Sequence, residues 1–163
     1  MSETPLLSKI ETALEVTIQE MSTATGYNYD WGPYSTNETD LAKGTLPRAN
    51  IYMETDESTD SANGPSNDMY GHKSTFRIDL YVDMNYESDN PRFEINDRLN
   101  KAFDDLLMLF GNNYNISGTA DTIQYKYSKR EYLKQGDIML PSKLMTYWEI
   151  EWESSRRVPT NWA

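Results

Sequence analysis

The sequence predicts an α+β fold, a mainly antiparallel β-sheet with two α-helices packed on one face. Three observations carry this expectation. Leu7, Ile10, Leu14, Ile18 and Met21 recur at spacings of three and four, as do Ile95, Leu99, Ala102, Phe103, Leu106, Leu109 and Phe110, so each set forms one stripe of a helix. Phe76, Ile78, Leu80, Val82 and Met84 alternate with Arg77, Asp79, Tyr81 and Asp83, which is the two-residue period of a strand with one core face and one wet face. Near the C-terminus, Leu144, Thr146, Trp148, Ile150 and Trp152 share one side of a strand, while Lys143, Met145, Tyr147, Glu149 and Glu151 share the other.

The first helix is expected from about Pro5 to Met21, with Thr4 as cap, Pro5 in its first turn and Gly26 ending it. From Gly26 to Ser35, Tyr27, Tyr29 and Trp31 alternate with polar residues as in a half-buried strand, which Gly32-Pro33 breaks. Arg48 to Glu54 reads as another strand, with Ile51 and Met53 on one side, introduced by Leu46-Pro47. Thr55 to Met69 is rich in Asp, Ser, Asn and Gly and contains no Lys or Arg, so an acidic, flexible loop is expected at about 55–70.

Gly71 to Met84 is the clearest strand, longer than the common ~5–6 residues. The second helix has both ends marked: Asp89 or Asn90 can cap it, Pro91 follows, and Gly111 lies beyond Phe110. Leu107 and Met108 broaden its apolar stripe. Thr122 to Lys134 alternates Ile123, Tyr125 and Tyr127 with polar residues, and Gln135-Gly136-Asp137 reads as a turn into a last strand starting near Ile138, which Pro141 interrupts early. A short tail follows at about 154–163. The order is helix, two or three strands, long strand, helix and two-strand hairpin, with no internal repeat.

The 163 residues suit a single domain. Twelve Tyr and 4 Trp set the chain apart from disordered sequences. Its formal net charge of −11 disfavours binding to phosphate backbones. With no cysteine, disulfides, zinc-thiolate sites and cysteine nucleophiles are excluded. The N-terminus lacks the basic start and apolar run of a signal peptide, and no stretch approaches the ~18 apolar residues of a membrane span, so no membrane association is expected.

Catalytic signals are sparse. His72 is the sole histidine, which excludes any site needing two imidazoles. It could serve a Ser-His-Asp triad, but no Gly-x-Ser-x-Gly elbow presents a nucleophile, so a solvated or hydrogen-bonded strand-end histidine is expected. Asp56, Glu57, Asp60 and Asp68 raise the question of calcium. The spacing around Gly64 fails the pattern of a calcium loop, and a solvated or partner-facing acidic loop is the reading kept. Phosphate-cradling glycine loops are missing. No catalytic residue, metal or cofactor is therefore expected, and the aromatic residues are assigned to core or interface.

Across about 150 residues the layout resembles the tail terminator (tail completion) proteins of long-tailed bacteriophages. The likeness rests on the helix Pro5 to Met21, the entry strand Leu-Pro-Arg-Ala-Asn-Ile-Tyr-Met-Glu at Leu46 to Glu54, and the acidic loop before Phe-Arg-Ile-Asp-Leu-Tyr-Val-Asp at Phe76 to Asp83. The long helix Pro91 to Phe110 and the terminal strand Leu144 to Glu153, ending in Arg-Arg-Val-Pro, complete it. Neck and tail-tube proteins share parts of this layout. The resemblance implies a structural virion protein, assembled in the host cytoplasm and not an enzyme. Such proteins form a ring, a hexamer, that caps the tail tube, stops its polymerisation and joins it to the head-side connector or stopper protein. Genomic DNA would pass through without specific binding; six copies would carry six times −11, or −66, and an acidic wall lets DNA slide. Candidate partner-contacting residues are Asp56, Glu57, Asp60, Asp68, Arg156, Arg157 and Trp162. The alternatives are another neck or tail component, a small carbohydrate-acting enzyme, or a binding module.

Overall fold

Apolar side chains spaced three and four apart wind the first helix, α1 (Leu6–Gln19), and bury Leu6, Ile10, Leu14 and Ile18 against the sheet. This and the following elements belong to a computed structural model describing residues 4–31, 46–58, 69–83, 88–116 and 118–155. Helix α1 ends earlier than its apolar stripe does. A 3-10 turn, Thr23–Thr25, follows, and Gly26 closes that turn at φ 96°, a left-handed conformation that glycine adopts without a Cβ clash. Thr4 does not cap α1. The Pro5 carbonyl accepts from Lys9 N at 3.1 Å instead, and no side chain caps the end.

Strands β1 (Arg48–Ser58) and β2 (Met69–Tyr81) come next, then helix α2 (Pro91–Asn112), then β3 (Thr122–Gln135) and β4 (Ile138–Ser155). The strands form a four-stranded antiparallel sheet in the order β1-β2-β4-β3. Because partners across strands share a face, Ala49, Ile51 and Met53 line up with Leu80, Ile78 and Phe76, and these with Leu144, Thr146 and Trp148. Both helices lay their apolar stripes on this one face, where Ile95, Leu99, Ala102, Leu106 and Phe110 of α2 join the core. The fold is thus α+β, as the patterning predicts.

Several expectations need correction. Tyr27 to Trp31 is not a strand, because its donors turn to a side chain of α2; Gly32 to Ser35 lie outside the described residues. The expected loop from Thr55 is strand as far as Ser58, and Met69 already belongs to β2: polar composition did not prevent pairing with Ser74, Lys73 and His72. Helix α2 runs through Gly111 to Asn112, and Leu107 and Met108 are exposed at 39% and 38%. Asn90, not Asp89, caps it by accepting from Phe93 N.

Pro141 does not stop β4. It pairs there with Tyr132 of β3, beside a register irregularity between Glu131 and Tyr132, and beyond the last partner of β2, Leu144, where proline is tolerated. Gly136, at φ 60°, takes the first central position of the two-residue β3–β4 turn, where such hairpins favour glycine.

Candidate functional site

Asp56, His72 and Ser154 come from β1, β2 and β4, and the sheet register brings them side by side at one end of the helix-covered face. His72 Nε2 lies 2.9 Å from Ser154 Oγ, and His72 Nδ1 lies 3.4 Å from Asp56 Oδ2. The imidazole stacks on Trp152, with centroids 3.9 Å apart and planes at 7°. Trp152 Nε1 donates to Ser74 Oγ at 2.9 Å, and Ser74 Oγ donates to Asp56 Oδ1 at 3.0 Å. His72 is therefore the hydrogen-bonded strand-end histidine that its position predicts.

The connectivity is that of a Ser-His-Asp relay, but its setting is not that of a nucleophile. Ser154 is 4% exposed and lies within a paired stretch of β4, opposite Tyr70, and among the described residues no sharp strand-to-helix turn lifts it to a substrate. A cavity of about 500 Å3 lies along α1, lined by Lys9, Ala13, Val16 and Glu20, away from this network. What the arrangement does chemically is tie three strands together by side chains.

The opposite face of the sheet carries a second network that sequence reading missed. Asp79 is fully buried; Arg77 Nε lies 2.8 Å from its Oδ1 and Lys143 Nζ lies 3.2 Å from its Oδ2. Arg77 also pairs with Glu54 at 3.3 Å and sits 4.5 Å from the Tyr52 ring centroid, while Lys143 reaches Glu131 at 3.6 Å. Burial opposes the charge on Lys143, yet the hydrogen bond and charge of Asp79 outweigh it and hold the ammonium pKa above its ordinary value. Arg77 is raised for the same balance of reasons. Burial also raises the Tyr81 hydroxyl, against the opposing charge of Lys143. The alternation predicted a wet Asp79; two cations reaching it from either side make its burial tolerable.

Tyr127 is on this face too, stacked on Tyr147 with centroids 4.3 Å apart. The alternation predicted it beside Tyr125, but Lys126 is an extra residue in β3, and the resulting bulge turns Tyr127 over.

The two outer strands of the sheet differ in charge. Beyond Met53, β1 presents Glu54, Asp56 and Glu57, all exposed. Strand β3 presents Lys126, Lys129, Arg130 and Lys134 against a single Glu131. Among the described residues no further strand pairs with either edge. Arg130 is held by Asn100 of α2, and Lys126 pairs with Glu149 at 3.4 Å; Lys129 and Lys134 have no ion pair among the described residues.

Of the residues singled out from sequence, Asp56 and Glu57 are in β1, where alternation sends them to opposite faces. They cannot close on one ion, and among the described residues no three His, Cys, Asp or Glu groups could hold a metal. Asp60, Asp68, Arg156, Arg157 and Trp162 lie outside the described residues. No described helix is long and apolar enough to cross a membrane. No family model matches the sequence, and no curated protein matches it.

Proposed function

We propose that this chain is a structural virion protein of the tail terminator type, forming a ring that caps the tail tube, stops its polymerisation and joins it to the head-side connector. The observation that carries this reading is a sheet whose two outer strands, each paired on one side only among the described residues, differ in charge, acidic over Glu54–Glu57 of β1 and basic along β3. Open edges are ready pairing sites, and a head-to-tail contact between unlike surfaces generates rings when its rotation closes. The layout of helices and strands that resembles terminators supports the same reading, and a net charge of −11 suits a passage through which DNA slides.

The test is to add the purified chain to polymerising tail-tube protein and image the products by electron microscopy. Tubes that stop elongating and carry a terminal ring are the expected result. Unlimited tubes with bare ends contradict a terminator; co-polymerisation along the tube would instead favour a tube subunit.

A further inference from the structure

We propose that copies of this chain join through the exposed half of β1 in one copy and the facing half of β3 in the next, antiparallel, with Glu54 meeting Lys126. The inference rests on the ring-forming reading above and adds which surfaces make the contact.

Strand direction comes first. Four successive antiparallel strands alternate in direction, so β1 and β3, at the two ends of the order, run opposite ways. A second copy, rotated about an axis parallel to the strands, therefore offers its β3 antiparallel to β1 and extends the sheet without reversing any strand. Each sheet also keeps its helix-covered face on the same side.

Height along the strands comes next. Register aligns Met53 with Phe76, Trp148 and Tyr125, and Tyr52 with Arg77, Tyr147 and Tyr127. Glu54 is the extra residue of the β1 bulge and Lys126 the extra residue of the β3 bulge. They therefore lie at adjacent heights on opposite edges. Bulges and lysines ordinarily blunt an edge against pairing. Here the two kinks fall at adjacent levels on the two edges.

Charge and exposure decide the partner. In β1 the run from Glu54 to Ser58 is exposed, and in β3 so is the run from Gln124 to Tyr127. Side-chain exposure is 37% for Glu54 and 44% for Lys126, so both can reach outward while keeping their internal partners Arg77 and Glu149. Pairing β1 with β1 would set acidic residues against their own copies, and pairing β3 with β3 would oppose lysines; in the unlike pairing Glu54 meets Lys126, while Asp56 and Glu57 meet the uncharged Gln124 and Ile123.

The experiment uses Glu54→Lys and Lys126→Glu as separate full-length proteins, read by native mass spectrometry beside the unaltered chain. Circular dichroism and urea midpoints check the fold of each, with Glu54→Gln and Lys126→Gln as milder substitutes should a reversal unfold the chain. Each reversal alone is expected to lose the assembled species at concentrations where the unaltered chain is assembled. An equimolar mixture is expected to regain it, with the two variants in equal number. In an alternating assembly the two reversed side chains face each other at one contact, and the native Glu54 and Lys126 face each other at the next, so every contact again joins opposite charges.

Reversals that assemble like the unaltered chain, or a mixture that stays dissociated, overturn this contact and leave the ring reading standing. For the Gln pair, assembly weakened in both variants supports the contact and assembly unchanged in both overturns it. An unaltered chain that never assembles overturns both.

Discussion

Four donors converge on the buried carboxylate of Asp105: Asn28 N at 2.7 Å, Asn28 Nδ2 at 2.9 Å, Tyr29 N at 3.1 Å and Trp31 Nε1 at 2.9 Å. One residue of α2 thereby fixes the whole segment after α1, which alternation alone would make a strand. Removing it leaves the buried Trp31 Nε1 and the part-buried Asn28 and Tyr29 donors without this acceptor, at about 1–3 kcal/mol for a fully buried donor and less for the others. Asp105→Ala should therefore lower unfolding stability by roughly 3 kcal/mol or more in urea titration, with altered Trp31 fluorescence; a loss under about 0.5 kcal/mol would refute this role. Asn50 is the converse case. It is 1% exposed, and among the described residues neither amide atom has a hydrogen-bond partner, so Asn50→Leu, close in shape, should raise stability by about 1 kcal/mol in the same titration. Neither residue could be found from sequence, since the pattern reports which face a side chain occupies and not what reaches it. His72 was legible as hydrogen-bonded, but its partners Ser154 and Asp56 are 82 and 16 positions away and are brought together only by register.

Tyr27, Tyr29, Tyr81 and Lys143 all hold their protons more tightly in the folded chain than their ordinary values of 10.0 and 10.5 imply. The unfolded chain then releases those protons first as pH rises. The stability they contribute is whole below those ordinary values and is lost as pH climbs through the folded ones. The urea midpoint should be flat near pH 8 and fall from roughly pH 10 upward; a midpoint that rises there would contradict the sign.

At the scale of elements, both helices and all four strands could be located from the sequence, because three-to-four and two-residue spacings map directly onto one buried face. What period could not supply was local irregularity. The extra residues Glu54 and Lys126 shift the faces of β1 and β3 in mid-strand, so Tyr127 leaves the core side. The acidic run after Met53 looked like a loop by composition, yet a strand needs only backbone donors and a neighbour, and β2 supplies both. Gly136 was legible as a turn residue, and its φ of 60° gives the reason. Nothing crowds the position of a Cβ there, so Gly136→Ala should cost only the left-handed backbone strain, about 1 kcal/mol, in thermal or urea unfolding. A neutral result would mean that the turn can switch type.

For the whole molecule, the layered α+β plan was readable from the sequence, whereas strand order was not: β4 lies between β2 and β3, which leaves β1 and β3 as the two edges. That order sets an acidic strand at one end of the sheet and a basic one at the other in a chain whose net charge is −11. The contact between unlike edges should weaken as added salt screens the attraction of Glu54 and Lys126. The most direct measurement is the mass of the purified chain in solution by light scattering, across concentration. The account predicts a discrete, closed multiple of 18.9 kDa that stops growing. A single chain of 18.9 kDa at every concentration, or a distribution that lengthens without limit, would contradict it.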